Sequence, residues 1–387
     1  MTSLGYVLAA FPVAVALYAY AGYPLLLWVA SRFYRVAGQR HSVVAPTVSV
    51  VLPAYNEEQQ VAGAIDALLA QDYARELLQI LVVSDASTDA TDQIVGGYAL
   101  SGVELLRMPE RSGKTKAENL ACAHLRGDII VNTDASIRLH PAAISELIAK
   151  MADPQVGVAS GRDVSISALR DGSNPTEAGY VGYEMWIRAL ETLTGGIVGA
   201  SGSCYAIRAA LHRIPIRDDL SRDFSAALTA REHGFRAVSV DDAVCYVART
   251  ASLAREYRRK LRTITRGIGT LVARRRLLDP FRYGSFAWKL FSHKFCRWLV
   301  PVSVFPGLIG LSLLAPSHSW AWVALLVAAG VGLLALAGAL WPSGKPIPRL
   351  LSIAAFGTAA NLAVVNALWR ILAGQRDNVW EPTRRSE

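Results

Sequence analysis

Cysteine and acidic side chains are both in short supply. The four cysteines, Cys122, Cys204, Cys245 and Cys296, stand far apart with no metal-ligand spacing, which argues against a disulfide framework or a zinc site. They read as small core residues on a reducing face. Asp and Glu number 31 against 40 Lys and Arg, a formal net charge of +9. Charged residues make up only 18% of the chain while hydrophobic ones reach 52%, and the mean hydropathy of +0.28 is high for a soluble protein of 387 residues. Part of the chain is therefore expected in a membrane.

Charge is missing altogether from two long stretches. Thr2 to Ser31 carries none, and Arg32, Arg35 and Arg40 follow it. About 20 apolar residues cross the hydrocarbon, so this stretch reads as a span. A cleaved signal peptide would carry its positive charge ahead of a shorter apolar core, the reverse of this order. Basic residues after the span place the next domain in the cytoplasm. A second uncharged stretch opens after Arg297 and lasts until Lys345, long enough for two spans, with Pro316 to Ser319 as the turn between them. A third run, Leu350 to Trp369, lies between Arg349 and Arg370. Three spans after a cytoplasmic domain put the tail outside, whereas Arg370, Arg376, Arg384 and Arg385 favour the inside. Both solutions stay open.

The basic excess is concentrated. Arg255, Arg258, Arg259, Lys260, Arg262, Arg266, Arg274, Arg275 and Arg276 share one region next to the spans, and Leu253, Tyr257, Leu261, Ile264, Ile268 and Leu271 form an apolar stripe among them. That pattern fits a helix lying in the membrane interface. It excludes nucleic acid as the partner, which would need basic residues spread with aromatics over a soluble face. The expected organisation is a membrane helix over 1–31, a cytoplasmic domain over 45–253, interfacial helices over 254–296, about three spans over 297–373 and a tail over 374–387.

In the central domain short apolar runs alternate with amphipathic segments, the mark of α/β layers with a largely parallel sheet. Strands are expected at Val48 to Leu52, Gln79 to Val83, Val103 to Leu106 and Ile129 to Val131, each followed by a polar turn. Tyr55, Asp85, Lys114 and Asp134 fall in those turns, on one rim of a parallel sheet, where open α/β sheets bind ligands. An aromatic for a base, a carboxylate for base or ribose, a lysine for phosphate and a carboxylate for a divalent cation would suit a nucleotide. Each alone also reads as an ordinary turn residue.

The ordered set VSVVLPAYNEE, VVSDASTDATD, GKTKAENLA and GDIIVNTDAS, continued by GASGSCYAIR, RDFSAALTAREHGF, RRKLRTITRG and VWEPTRR, resembles family 2 glycosyltransferases of the membrane-embedded bacterial branch, the cellulose, hyaluronan and poly-N-acetylglucosamine synthase-like one. The resemblance implies a Rossmann-like GT-A domain set between membrane helices at the inner membrane. It implies an inverting transferase moving a hexosyl or N-acetylhexosaminyl group from a nucleotide sugar, a UDP-sugar, to a polysaccharide or other glycan, as in exopolysaccharide or cell-envelope synthesis. Two alternatives stand beside it: a polyprenyl-phosphate or other lipid acceptor, and a catalytically weakened nucleotide-binding subunit of a synthase.

By the same resemblance Tyr55, Glu57 and Asp85 contact the uridine, with Lys114 close by, and Asp134 opens the metal-binding Asp-x-Asp motif for Mg²⁺ or Mn²⁺. Ser136 stands at the third position, so one usual carboxylate is lost. Asp223 matches the catalytic aspartate, the base that deprotonates the acceptor hydroxyl. Its usual acidic neighbour is Arg222 here, and Asp218 and Asp219 are rivals. The turn Gly199 to Ser203, with Gly202 and Ser203, is expected under the acceptor, and Trp186 as a sugar platform or as packing. Processive relatives carry Gln-x-x-Arg-Trp on the interfacial helix. This chain has Thr263-Ile264-Thr265-Arg266-Gly267, which keeps Arg266 for the leaving diphosphate and lacks the tryptophan.

Overall fold

The structure, a computed structural model, describes residues 2–33, 45–165, 175–247, 253–342 and 347–375. VWEPTRR, Arg35, Arg40, Lys345, Arg376, Arg384 and Arg385 lie outside them. The chain forms two compact units, one holding the N-terminal helix with residues 253–268 and 278–375, the other holding the stretch between 45 and 247 with residues 269–277.

The second unit is built on an eight-stranded sheet: β1 Val48–Ala54, β2 Leu78–Ser84, β3 Val103–Arg107, β4 Ile129–Thr133, β5 Ile137–Leu139, β6 Val156–Ser165, β7 Cys204–Arg208 and β8 Arg236–Val247. The order is β3-β2-β1-β4-β7-β6-β8-β5. Its first four strands are parallel, as their alternation with helices requires. Beyond β4 the sheet is mixed: β7 runs antiparallel to both β4 and β6, and β5 antiparallel to β8, while β6 and β8 are parallel. The expected parallel sheet therefore holds for the half that carries Tyr55, Asp85 and Asp134. Residues alternate between two cores because side chains alternate along a strand. Val50, Leu52, Ile80, Val82, Ile129 and Val131 feed one face; Val51, Leu81, Val83 and Ile130 feed the other. With both faces covered, β1 and β2 are buried throughout and mostly apolar; the polar pair inside them, Ser49 and Gln79, is satisfied internally, Ser49 Oγ donating to Gln79 Oε1 at 2.6 Å.

Among the described residues four helices are long and apolar enough to cross a membrane: Thr2–Ser31, Ser285–Leu314, Ser319–Ala339 and Arg349–Leu372. The second begins at Ser285, ahead of the expected boundary at Arg297. It packs on the first through small residues. A Cβ on Gly310 would stand 2.4 Å from Ala9 N and 2.7 Å from Gly5 O, so the two backbones touch there. Each helix has a π-helical turn, Tyr18–Gly22 and Phe291–Cys296, joined by Tyr18 Oη to Ser292 Oγ at 2.7 Å; Trp288 Nε1, just before the second turn, donates to Tyr18 Oη at 3.0 Å. Gly310→Leu is expected to force the helices apart at a cost of about 1–3 kcal/mol. A thermal melt in detergent unchanged from wild type would contradict that crossing.

The amphipathic helix spans Leu253–Ala273 and buries its apolar stripe, Leu261 and Ile268 with Tyr257 and Ile264, against Ala363 and Ala367 of the last apolar helix. All four cysteines are free thiols, three of them buried.

Candidate active site

The site grows from the turns after β1, β2, β3 and β4. Asp85 N donates to Ala54 O at 2.9 Å, which locks the second turn to the first. Asn56 adopts φ 51° and ties the two turns together: its Oδ1 accepts from Thr88 N at 2.8 Å and its N donates to Ser87 Oγ at 3.2 Å. Asn tolerates this left-handed conformation better than most residues; Ala86, at φ 57°, does not, and stores strain of roughly 1–2 kcal/mol. At the start of the helix Thr91–Gly96, Asp89 Oδ1 accepts from Thr91 N at 3.0 Å. Burial pushes the Asp89 carboxyl up, but hydrogen bonds from Thr91 and the Glu58 backbone outweigh it and lower the pKa.

Asp85 is buried and gives both oxygens to backbone: Oδ1 accepts from Ser112 N at 2.7 Å and Oδ2 from Gly113 N at 2.8 Å. Gly113, at φ 93°, takes a left-handed conformation open to glycine at no steric cost, and the chain turns there into the following helix. Asp85 thereby fixes the loop from which the helix Lys114–Ala121 departs. On that loop Arg111 sets its guanidinium 4.0 Å over the Tyr55 ring. Glu57 is buried as well, its N donating to Thr91 Oγ1 at 2.9 Å.

Lys114 Nζ donates to Asp134 Oδ1 at the end of β4. Burial pulls the Lys114 pKa down, yet the carboxylates of Asp134, Glu118 and Asp223 outweigh it and the net shift is upward. Glu118, one turn along the helix, is buried with Oε2 3.4 Å from Arg222 Nε. Burial raises its pKa against the opposing pull of Lys114 and Arg222. Arg222 also donates to His212 O at 3.4 Å and to Asn119 Oδ1. His212 is held well below its ordinary pKa by burial and by Arg222 and Arg213, so it is neutral.

Asp223 follows Arg222 in the first turn of the helix Arg222–Glu232. Its Oδ1 accepts from Ser221 Oγ and from Phe224 N at 2.8 Å, so part of the carboxylate does serve the helix start. Oδ2 turns to Gly202, where a Cβ would come within 2.9 Å. Only glycine leaves that oxygen open. The turn 199–203 is held in place by Ser201 Oγ donating to Asp163 at 2.9 and 3.0 Å, and by Thr133 Oγ1, beside Asp134, donating to Ser203 O at 2.9 Å.

Asp85, Lys114, Asp134, Asp223, Gly202 and Ser203 thus belong to one bonded and electrostatically linked group, with Tyr55 and Glu57 on the adjoining turn. Trp186 is 45% exposed on the helix Pro175–Leu193 and pairs with Tyr183, ring centroids 6.0 Å apart. Ser136 is partly buried beyond Asp134. Among the described residues no group of three or more His, Cys, Asp or Glu is placed to hold a metal ion. Arg266 belongs to the helical unit; beside it, Trp298 fills the space at Gly267, 3.3 Å from where a Cβ would be. Sequence reasoning missed Arg111, Glu118, Asp163 and Tyr205. For Glu118 a signal existed, the four-residue step from Lys114 on one helix face. The others depend on tertiary contacts alone.

The profile described as Glycosyl transferase family 2 matches residues 49–213. An N-acetylglucosaminyltransferase of Bradyrhizobium elkanii is 31% identical over 131 residues, 33% of this chain and 71% of that protein. The chain belongs to glycosyl transferase family 2. An N-acetylglucosaminyltransferase of Rhizobium sp. (strain N33) is 28% identical over 311 residues, 75% of this chain and 67% of its own. In three dimensions the glycosyltransferase is similar to a mannosyltransferase from Pyrobaculum calidifontis, solved in complex with GDP-Man and Mn²⁺. The TM-score is 0.70 and the identity 23%, covering 94% of this chain and 99% of that one. The mixed sheet of this family 2 enzyme is therefore a Rossmann-like GT-A domain, flanked by apolar helices at both ends of the chain.

Proposed function

We propose that this family 2 glycosyltransferase moves a hexosyl or N-acetylhexosaminyl group, with inversion, from a UDP-sugar to a hydroxyl of a glycan or lipid-linked acceptor. The observation that carries the reading is Asp223 Oδ2 facing the Gly202 turn while Lys114 feels the charge of both Asp134 and Asp223. A cation for the donor's phosphates and a carboxylate with an open oxygen lie in one electrostatic group. In the reaction the acceptor oxygen attacks the anomeric carbon and its proton passes to Asp223. The bond from that carbon to the phosphate oxygen breaks, and the electron pair leaves with the nucleoside diphosphate. Lys114 neutralises charge on the diphosphate. Tyr55, Glu57 and Asp85 shape the uridine side; Gly202, Ser203 and Trp186 serve the acceptor.

Asp134 and Ser136 supply hard oxygens suited to Mg²⁺ or Mn²⁺, and such ions accept few protein ligands when phosphates and water complete their shell. The residues fit on those terms. When bound, the ion would add positive charge beside the leaving diphosphate. The four apolar helices support an inner-membrane enzyme with spans on both sides of a cytoplasmic domain. The tryptophan that would meet a terminal sugar is absent at Gly267, which weakens the case for chain polymerisation and keeps the lipid-acceptor alternative open. Arg222, which suggested a weakened subunit, has a buried acidic partner in Glu118.

The test is release of free nucleotide from a panel of UDP- and GDP-sugars by the full chain in detergent, with Mn²⁺, Mg²⁺ or chelator, and with undecaprenyl phosphate or a chito-oligosaccharide as acceptor. UDP-N-acetylglucosamine, the donor suggested by the relatives' names, is expected among the UDP-sugars turned over with metal. No release from any donor would overturn the proposal.

A further inference from the structure

We infer that Glu118 is a positioning residue for transfer, a buried carboxylate that sets the bearing of Asp223 through Arg222 while standing behind Lys114. The inference rests on the roles proposed for Asp223 and Lys114. Glu118 is 1% exposed, on the one helix that also carries Lys114. Its only ion-pair partner within 4 Å among the described residues is Arg222, and Arg222 immediately precedes Asp223 at the start of another helix. The two terminal nitrogens of the Arg222 guanidinium donate elsewhere, to His212 O and to Asn119 Oδ1. The first turn that presents Asp223 is thus pinned from one side by a single charge contact.

A helix-to-helix staple would not need charge, because apolar residues of similar size hold helices together as well or better. The contact is also imperfect as a staple. Neither Glu118 Oε2 nor Arg222 Nε makes a hydrogen bond among the described residues. The Tyr205 hydroxyl, 3% exposed on β7 and likewise without a hydrogen bond, lies in the field of Glu118, Arg222, Asp223 and Asp134. A layer of buried, under-satisfied polar groups is retained directly behind the working residues, which is where orientation is worth its cost in stability. The charges in this group are Lys114 and Arg222 against Glu118, Asp134 and Asp223. Glu118→Gln therefore removes a negative charge behind the lysine that meets an anionic donor. Donor binding should hold or tighten while Asp223 loses its bearing.

The test compares wild type, Glu118→Gln, Arg222→Gln, their double variant and the charge swap Glu118→Arg/Arg222→Glu in the full chain. UDP-binding stoichiometry by calorimetry counts the folded sites. Glu118→Gln is expected to lower kcat per binding site on the order of 10–100-fold, the scale of a small misplacement of a reacting group, with donor KM unchanged or lower. The charge swap should recover part of that loss. Wild-type kcat per site in Glu118→Gln, or no recovery in the swap, would overturn the inference. Should wild type turn over no nucleotide sugar, the proposed function fails first. The inference is then decided by melting temperature, where the two Gln changes should be less than additive; additive losses would overturn it.

Discussion

Asp223→Asn is expected to bind the nucleotide sugar as wild type does and to lose transfer by about 10²–10⁴-fold, the usual contribution of a positioned general base. The amide keeps an oxygen to accept from Phe224 N, so the helix start at Arg222–Glu232 survives. It cannot take a proton on the atom that faces Gly202. Donor affinity by calorimetry and single-turnover transfer separate the two effects. Full transfer in this variant would remove Asp223 from the chemistry and turn attention to Asp218 or Asp219, the latter of which is engaged with Arg217 at the surface. Gly202→Ala tests the same geometry from the other side, since its added methyl meets Oδ2.

The second large effect is expected from Asp134→Ala. It removes the counter-charge of Lys114 and the one carboxylate proposed for Mg²⁺ or Mn²⁺. A loss on the order of 10²–10³-fold in kcat/KM is expected, comparable to deleting one preorganised electrostatic contact at a reacting centre. The metal dependence of UDP binding should vanish with it. Chelation of wild type should give the same phenotype and be reversed by Mn²⁺ or Mg²⁺. Metal-stimulated UDP binding that persists in Asp134→Ala would place the ion elsewhere. Ser136→Asp gives the converse test: a second carboxylate at the Asp-x-Asp position should tighten the metal.

Much of this arrangement was legible in the residues. The β strands from Val48, Leu78, Val103 and Ile129 stand where apolar runs meet polar turns; in β1, β2 and β4 every residue is buried, and strands covered on both faces read as mostly apolar runs. The four apolar helices are announced by their uncharged runs, although the second extends back to Ser285 through Lys289, Lys294 and Arg297, where absent charge gives no warning. The mixed half of the sheet was not legible, since β6, β7 and β8 pair across long separations and their direction depends on the connecting chain rather than on local pattern. Asp85 shows a subtler limit. A carboxylate after a strand reads as a ligand contact, whereas both of its oxygens accept from the backbone of Ser112 and Gly113. Arg222 looked like a defect beside Asp223 until Glu118 appeared opposite it, and no spacing rule links residues so distant in the chain.

On the role proposed for Tyr55, the stacking of Arg111 on its ring makes nucleotide capture an exchange. An incoming base can lie on that aromatic face only by evicting a guanidinium that gains roughly 0.5–1 kcal/mol from staying. The evicted cation is tethered a few residues before Lys114, so the same movement that opens the shelf sends positive charge toward the phosphates. Free uracil or uridine would trigger the first half of that exchange without the second, and so bind poorly compared with UDP for a reason unrelated to the number of direct contacts.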